Sequence, residues 1–140
     1  MQSFEFEHTI RFRRMGGFSF PIVRVTLVTS SGSDIEIPLL FDTGASYVTL
    51  RPDFYVYLGL SSWDEGQPVP DMKISGGTAK AYQYPATIEF YGKRISCPVH
   101  LMEIPSHPAF DGLLGRHTIM QEFGFGFYAS RERLYVTENP

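Results

Sequence analysis

The sequence predicts a mainly β protein with one or two short helices, and three stretches carry that prediction. Phe4, Phe6, His8, Ile10 and Phe12 recur at period two with Glu5, Glu7, Thr9, Arg11 and Arg13 between them, the pattern of a strand with one apolar face. Pro21 to Thr29 is dense in β-branched residues, which favour the pleated chain. After the turn Ser30-Ser31-Gly32-Ser33, Ile35, Ile37, Leu39 and Phe41 alternate again, so these two stretches read as a hairpin. With 140 residues, 43% of them hydrophobic, the chain suits a single domain over 1–140 with a real core.

In chain order, Met15-Gly16-Gly17 breaks the first strand, and the hairpin 21–41 then delivers Asp42 at its end. A short apolar strand, Tyr47-Val48-Thr49-Leu50, follows. Pro52 sits near a possible first helical turn and Gly59 just past a last one, which predicts a short helix around residue 54. Residues 61–71, with Ser, Gly and two prolines, read as a surface connection. Met72 to Tyr84 reads as a long hairpin with a Gly76-Gly77 tip, and 86–102 as two strands around Gly92. Pro105 and Pro108 bracket a loop, and Asp111 to Phe123 runs from a strand through Gly115 into a short helix. Gly124 to Tyr128 and Arg133 to Thr137 form a closing hairpin over Ser130-Arg131-Glu132. No linker, repeat or low-complexity segment interrupts this order.

Asp42 is out of place, a lone carboxylate closing the apolar run Leu39-Leu40-Phe41. Burial disfavours a charged carboxylate unless hydrogen bonds or a neighbour compensate. Thr43 supplies a hydroxyl that can hold a loop, and Gly44 permits a sharp turn with backbone amides close to the acid. Asp-x-Gly is also ordinary turn chemistry, so the triplet alone leaves a strand-to-turn acid open.

Three features in order bring the chain close to a known family: Asp42-Thr43-Gly44-Ala45, a hairpin tipped by Ile74-Ser75-Gly76-Gly77, and Leu113-Leu114-Gly115-Arg116. Over about residues 20–123 the sequence resembles the retroviral-type aspartic proteases, or retropepsins. The resemblance implies a closed, barrel-like β lobe with a flap hairpin, acting as a homodimer. It implies an aspartic endopeptidase in which Asp42 of two identical chains holds an activated water, with no metal and no other cofactor. Thr43 would bond across the twofold axis, Gly44 would leave room for substrate, and Ala45 and Ser46 would line the cleft. Ile74, Ser75, Gly76 and Gly77 would clasp an extended peptide or polypeptide substrate, while Leu113 and Leu114 would support the active-site loop. Two departures stand out. Ser46 lies where many viral members carry an acid that pairs with the arginine after the second glycine, so Arg116 is expected to face an acid of the other chain. Residues before 20 and after 123 exceed the viral pattern, so the intertwined terminal sheet of viral dimers does not carry over.

Other assignments are weaker. A net charge of -3 argues against a nucleic-acid partner, no apolar run reaches membrane-spanning length, and the acidic start Met1 to Glu7 is unlike a secretory signal, which makes cytoplasmic the default expectation. The single Cys97 reads as a small buried hydrophobe. His100, Glu103 and His107 lack metalloprotease spacing and read as surface side chains. Arg11, Arg13 and Arg14 read as a solvated strand edge, with a partner patch as the weaker alternative, and Phe123, Phe125 and Phe127 as core or dimer contact. Asp111 is the other acid beside a signature; it reads as a turn residue, with an Asp42–Asp111 pair within one chain as the competing assignment. Because fold does not decide function, a protease-like dimerisation or peptide-binding module with weak or silent catalysis is the alternative. For the enzyme, the surrounding Ile, Leu, Phe and Tyr predict apolar or aromatic preference on both sides of the cut.

Overall fold

The computed structural model describes residues 5–74 and 77–139, with side-chain surroundings defined outside 71–74. Strand β1 (His8–Arg11) is followed by the small hairpin β2 (Arg13–Met15) and β3 (Phe18–Phe20). Its tip, Gly16-Gly17, has φ of 59° and 80°, the two positive values that a two-residue hairpin turn needs. The glycine pair therefore builds a hairpin where a simple break was expected. The main hairpin is β4 (Ile22–Val28) and β5 (Ile35–Phe41), antiparallel with Ile22 opposite Leu40 and Leu27 opposite Ile35. Val23, Val25 and Leu27 on one strand and Ile37 and Leu39 on the other point into the core, as the alternation predicts.

Beyond the Asp42 loop come β6 (Val48–Leu50) and a 3-10 helix at Pro52–Leu58, closed by Gly59 at φ 75°. Strand β7 (Gln67–Ile74) starts inside the stretch expected to be a surface connection, and it pairs with β8 (Gly77–Tyr84). Pro68 and Pro70 are tolerated because β7 is an edge strand, where a missing N–H leaves no partner unpaired, and a register shift falls between Val69 and Met72. The segment 86–102 forms three strands and not two: β9 (Thr87–Phe90), β10 (Lys93–Ser96) and β11 (Val99–Met102). Cys97-Pro98 separates the last pair; Cys97 is fully buried and its thiol is pushed up to about 11 by burial, so it stays protonated at neutral pH. Strand β12 (Gly112–Leu114), the one-turn helix α1 (Ile119–Glu122), β13 (Phe123–Tyr128) and β14 (Arg133–Glu138) complete the chain.

Among the described residues the strands form three sheets. The largest has the order β10-β9-β4-β5-β12-β6-β11-β8-β7, the second is β1-β14-β13, and the third is the β2–β3 hairpin. The closed barrel expected from the sequence is not formed: the nine-stranded sheet is open, with β10 and β7 as its edges. Both chain ends are instead paired within one chain, β1 with β14 and β14 with β13. This terminal sheet covers the core through Phe123, Leu134 and Val136, all buried, while Phe127 is 51% exposed. No helix among the described residues is long and apolar enough to cross a membrane.

The position of β12 decides the centre of the sheet. It runs parallel to β5 and antiparallel to β6, wedged between them. A side chain on Gly112 would begin 2.1 Å from the Thr49 carbonyl oxygen and 3.1 Å from both Leu39 and Leu50. The Gly112→Ala protein is therefore expected to lose at least about 3 kcal/mol of stability, since backbone on a neighbouring strand must give way. Equilibrium urea unfolding measures this, and a loss below about 1 kcal/mol would show that the wedge relaxes without cost.

Candidate active site

Asp42 stands where β5 ends, and its backbone N–H donates to the carbonyl of Leu114 at 3.1 Å, one step beyond the β12 ladder. The chain then turns tightly. Ala45 N–H donates to the Asp42 carbonyl at 3.2 Å, and Gly44 N–H donates to the Asp42 carboxylate Oδ1 at 2.9 Å. A Cβ on Gly44 would lie 3.1 Å from that same oxygen, so a side chain there would crowd the acid. Two further bonds pin the far side of the loop: Arg116 N–H to the Ala45 carbonyl at 3.0 Å and His117 N–H to the Ser46 carbonyl at 2.7 Å. Gly115 makes this approach possible, because a Cβ there would be 2.3 Å from the Tyr47 carbonyl oxygen. The two sequence signatures are thus one structure, the second clamping the first from both sides.

Asp42 is half-buried, Ala45 likewise, and Thr43, Gly44 and Ser46 are exposed. The loop therefore offers one carboxylate with a single internal donor. Leu114 is fully buried under it and Leu113 half-buried. Asp111 does not join Asp42: its N–H donates to the Pro38 carbonyl, and its carboxylate accepts from Arg51 Nη2 at 2.9 Å. Pro38 lies four positions before Asp42 on β5, about 13 Å along a strand, so the two acids sit at opposite ends of the β5–β12 pair. This removes the pairing of Asp42 with Asp111 within one chain.

On the hairpin, β7 and β8 stay paired up to Ile74 opposite Gly77, and Gly77 is exposed. Ser75 and Gly76 lie outside the described residues, as do the surroundings of the Ile74 side chain. Arg116 is exposed, and its Nη2 is 3.5 Å from Ser46 Oγ, with no carboxylate in ion-pair range among the described residues. It borders a shallow cavity of about 560 Å³ with Ser46, Tyr47, His117, Met120 and Gln121.

The loop rests on a residue that the sequence reading misplaced. His100 is 3% exposed, in a strand buried on both faces, and not at the surface. Its ring stacks on Tyr47 at 4.2 Å between centroids, and the His117 ring also packs against Tyr47, at 4.6 Å. Nε2 meets Gln83 Oε1 at 3.2 Å. Burial, reinforced by the nearby His117, holds the His100 imidazolium below its usual pKa. His107, by contrast, stacks on Phe110 at 4.3 Å and accepts from Ala109 N–H, and it is only half-buried.

The sequence matches no protein-family model and no curated protein. The fold is similar to solved structures. One is EIAV protease complexed with the inhibitor HBY-793, at 22% identity and TM-score 0.56, covering 78% of this chain and 93% of that one. Another is a retropepsin-like aspartic protease from Rickettsia conorii, at 18% identity and TM-score 0.61, covering 92% of this chain and 98% of that one.

The depressed His100 pKa sets a sign for stability. Below about pH 6.5 the unfolded chain binds a proton there that the folded chain refuses, so stability falls as pH drops through the folded value. In His100→Gln the fall in melting temperature between about pH 7.5 and about pH 5 is expected to be smaller than in wild type. Equal pH dependence in the two proteins would exclude His100 as the titrating group.

Proposed function

Because the chain has the fold of the retropepsin-like aspartic proteases, we propose that it is an aspartic endopeptidase that works as a homodimer, its site completed by Asp42 of a second copy. The observation that carries this reading is the Asp42 loop. A single carboxylate is held by Gly44 N–H at the end of a strand, and residues 114–117 pin the loop on both sides. One acid is half of the machinery. Two carboxylates about 3 Å apart cannot both ionise and so share a proton at working pH. The ionised member takes a proton from the water as it attacks the scissile carbonyl, and the protonated member donates to the carbonyl oxygen. A twofold axis beside Asp42 brings the pair together with no further residue type required.

In this reading Thr43, exposed and adjacent to the acid, bonds to the loop of the other copy and keeps the two carboxylates coplanar. Ala45 and Ser46 line the cleft, and the hairpin over Ile74, Ser75, Gly76 and Gly77 clasps an extended peptide as an added strand. Arg116 reaches Ser46 in its own chain and retains charge for an acid of the second copy.

Asp42→Asn keeps shape and removes both acids from every dimer. Its turnover of a peptide-library substrate is expected to fall by about a thousandfold or more while sedimentation still reports a folded dimer. Wild-type rate against pH is expected to be bell-shaped on the acidic to near-neutral side, its limbs belonging to the pair. The enzyme reading fails, leaving a binding module, if folded Asp42→Asn cleaves like wild type. It fails equally if wild type cleaves no library member between about pH 4 and pH 7.

A further inference from the structure

We propose that the cavity between β1, β2, β4 and the β9–β10 turn is a binding site for an acidic, extended polypeptide segment, taken up as a strand added to β1. The cavity holds about 450 Å³ and is lined by Thr9, Ile10, Arg11, Arg13, Ile22, Arg24, Phe90 and Tyr91. Three arginines from three strands line it in a chain whose net charge is -3. Arg24 is partly answered by Glu36 at 3.2 Å, whereas Arg14, just outside, is taken by Glu132. Arg11 and Arg13 have no carboxylate in ion-pair range among the described residues, although Arg13 Nη1 donates to the Ala109 carbonyl at 3.5 Å. Clustered like charges of which two lack a carboxylate partner are what a carboxylate ligand neutralises.

The backbone supplies the second half of the argument. Phe12 N–H donates to the Glu132 carbonyl at 3.0 Å, which makes 12/132, and by alternation 10/134 and 8/136, the hydrogen-bonded pairs of β1 and β14. The N–H and C=O groups of Thr9 and Arg11 therefore face away from β14. β1 is the edge of its sheet, and three consecutive residues of it line the cavity, which places that edge, more than either face, against the open space. An extended segment would satisfy those groups. Its side chains on the Arg11 face would be acidic, and those on the Ile10 face would be apolar, against Ile22 and Phe90.

Tyr91 adds a wall that local turn chemistry does not favour. It occupies φ 48° in the two-residue turn with Gly92, a position at which Asn, Asp or Gly is preferred, and its ring stacks on His8 at 3.7 Å. A second copy's acidic amino-terminal stretch does not serve as the occupant: Glu7 already accepts from Thr137 Oγ1 at 2.8 Å, and the Phe6 ring covers Gly126 in its own chain. A separate acidic polypeptide fits the charge and the edge, and the site stands whether or not Asp42 is catalytic.

Binding is measured by fluorescence anisotropy on the Asp42→Asn protein, which removes cleavage from the readout. The probe is an eight-residue peptide alternating Glu and Val. Replacing its Glu by Gln, N-methylating alternate amides, or using Arg11→Ala/Arg13→Ala protein are each expected to weaken binding at least about tenfold, the worth of one charge-assisted hydrogen bond. Binding is also expected to weaken between low and high salt. Amide shifts at Thr9 and Arg11 on titration give a second measurement on unsubstituted arginines, should the double variant not fold. Several results would overturn the proposal: no binding at low salt, equal binding of the Gln or N-methyl peptide, or displacement by millimolar inorganic phosphate. Tighter binding of a single-stranded RNA would do so too, as would conversion of a dimer to monomer by the double variant.

Discussion

The insertion of β12 between β5 and β6 is the constraint on which the rest of the structure depends. It is made by two glycines, at 112 and 115, each of which would place a Cβ within 2.3 Å of a carbonyl oxygen on the neighbouring strand or loop. Hydrophobic burial alone would not require this; Leu39, Leu50 and Leu114 could be covered in other ways. The close approach lets backbone groups of 114–117 reach the loop 42–47, and those bonds convert a turn after a strand into a fixed platform. Without it, Asp42 would be a turn acid among others.

Beneath the platform the chemistry is aromatic. Tyr47 packs against both His100 and His117, and through Gln83 the same cluster touches β8, the second arm of the long hairpin. The loop bearing the acid and the strand leading from the hairpin tip thus share one buried imidazole. Burial, and then the second histidine close by, favour the neutral form of that imidazole. The integrity of the platform is therefore tied to the protonation state of His100.

The termini follow a different logic. β1, β14 and β13 satisfy one another within the chain and lay Phe123, Leu134 and Val136 over the open sheet. The small β2–β3 hairpin is fastened to this sheet by Glu132, which accepts from Arg14 and from Ser19. Among the described residues this terminal sheet leaves β1 and β13 as edges, and arginines flank the β1 edge. Lysine or arginine on an edge also discourages association with neutral strands, so the same residues restrict what the edge accepts.

Period-two alternation by itself determined the β4–β5 hairpin, because a strand with one buried face cannot slip by one residue without turning its apolar set outward. It also determined that Asp42 closes a strand, and the order of glycine-bearing motifs pointed to the fold. The open sheet, the third strand in 86–102, the start of β7 at Gln67 and the burial of His100 were decided only by tertiary structure. In each case local pattern was silent or pointed elsewhere. Whether Pro68 can sit in a strand depends on having no neighbour on one side, and whether His100 is wet depends on which strands flank β11. The fate of Asp111 is of the same kind: only the parallel register of β12 on β5 puts it beside Arg51 and about four residues' length from Asp42, because a strand's reach, unlike its pattern, is measured against its neighbour.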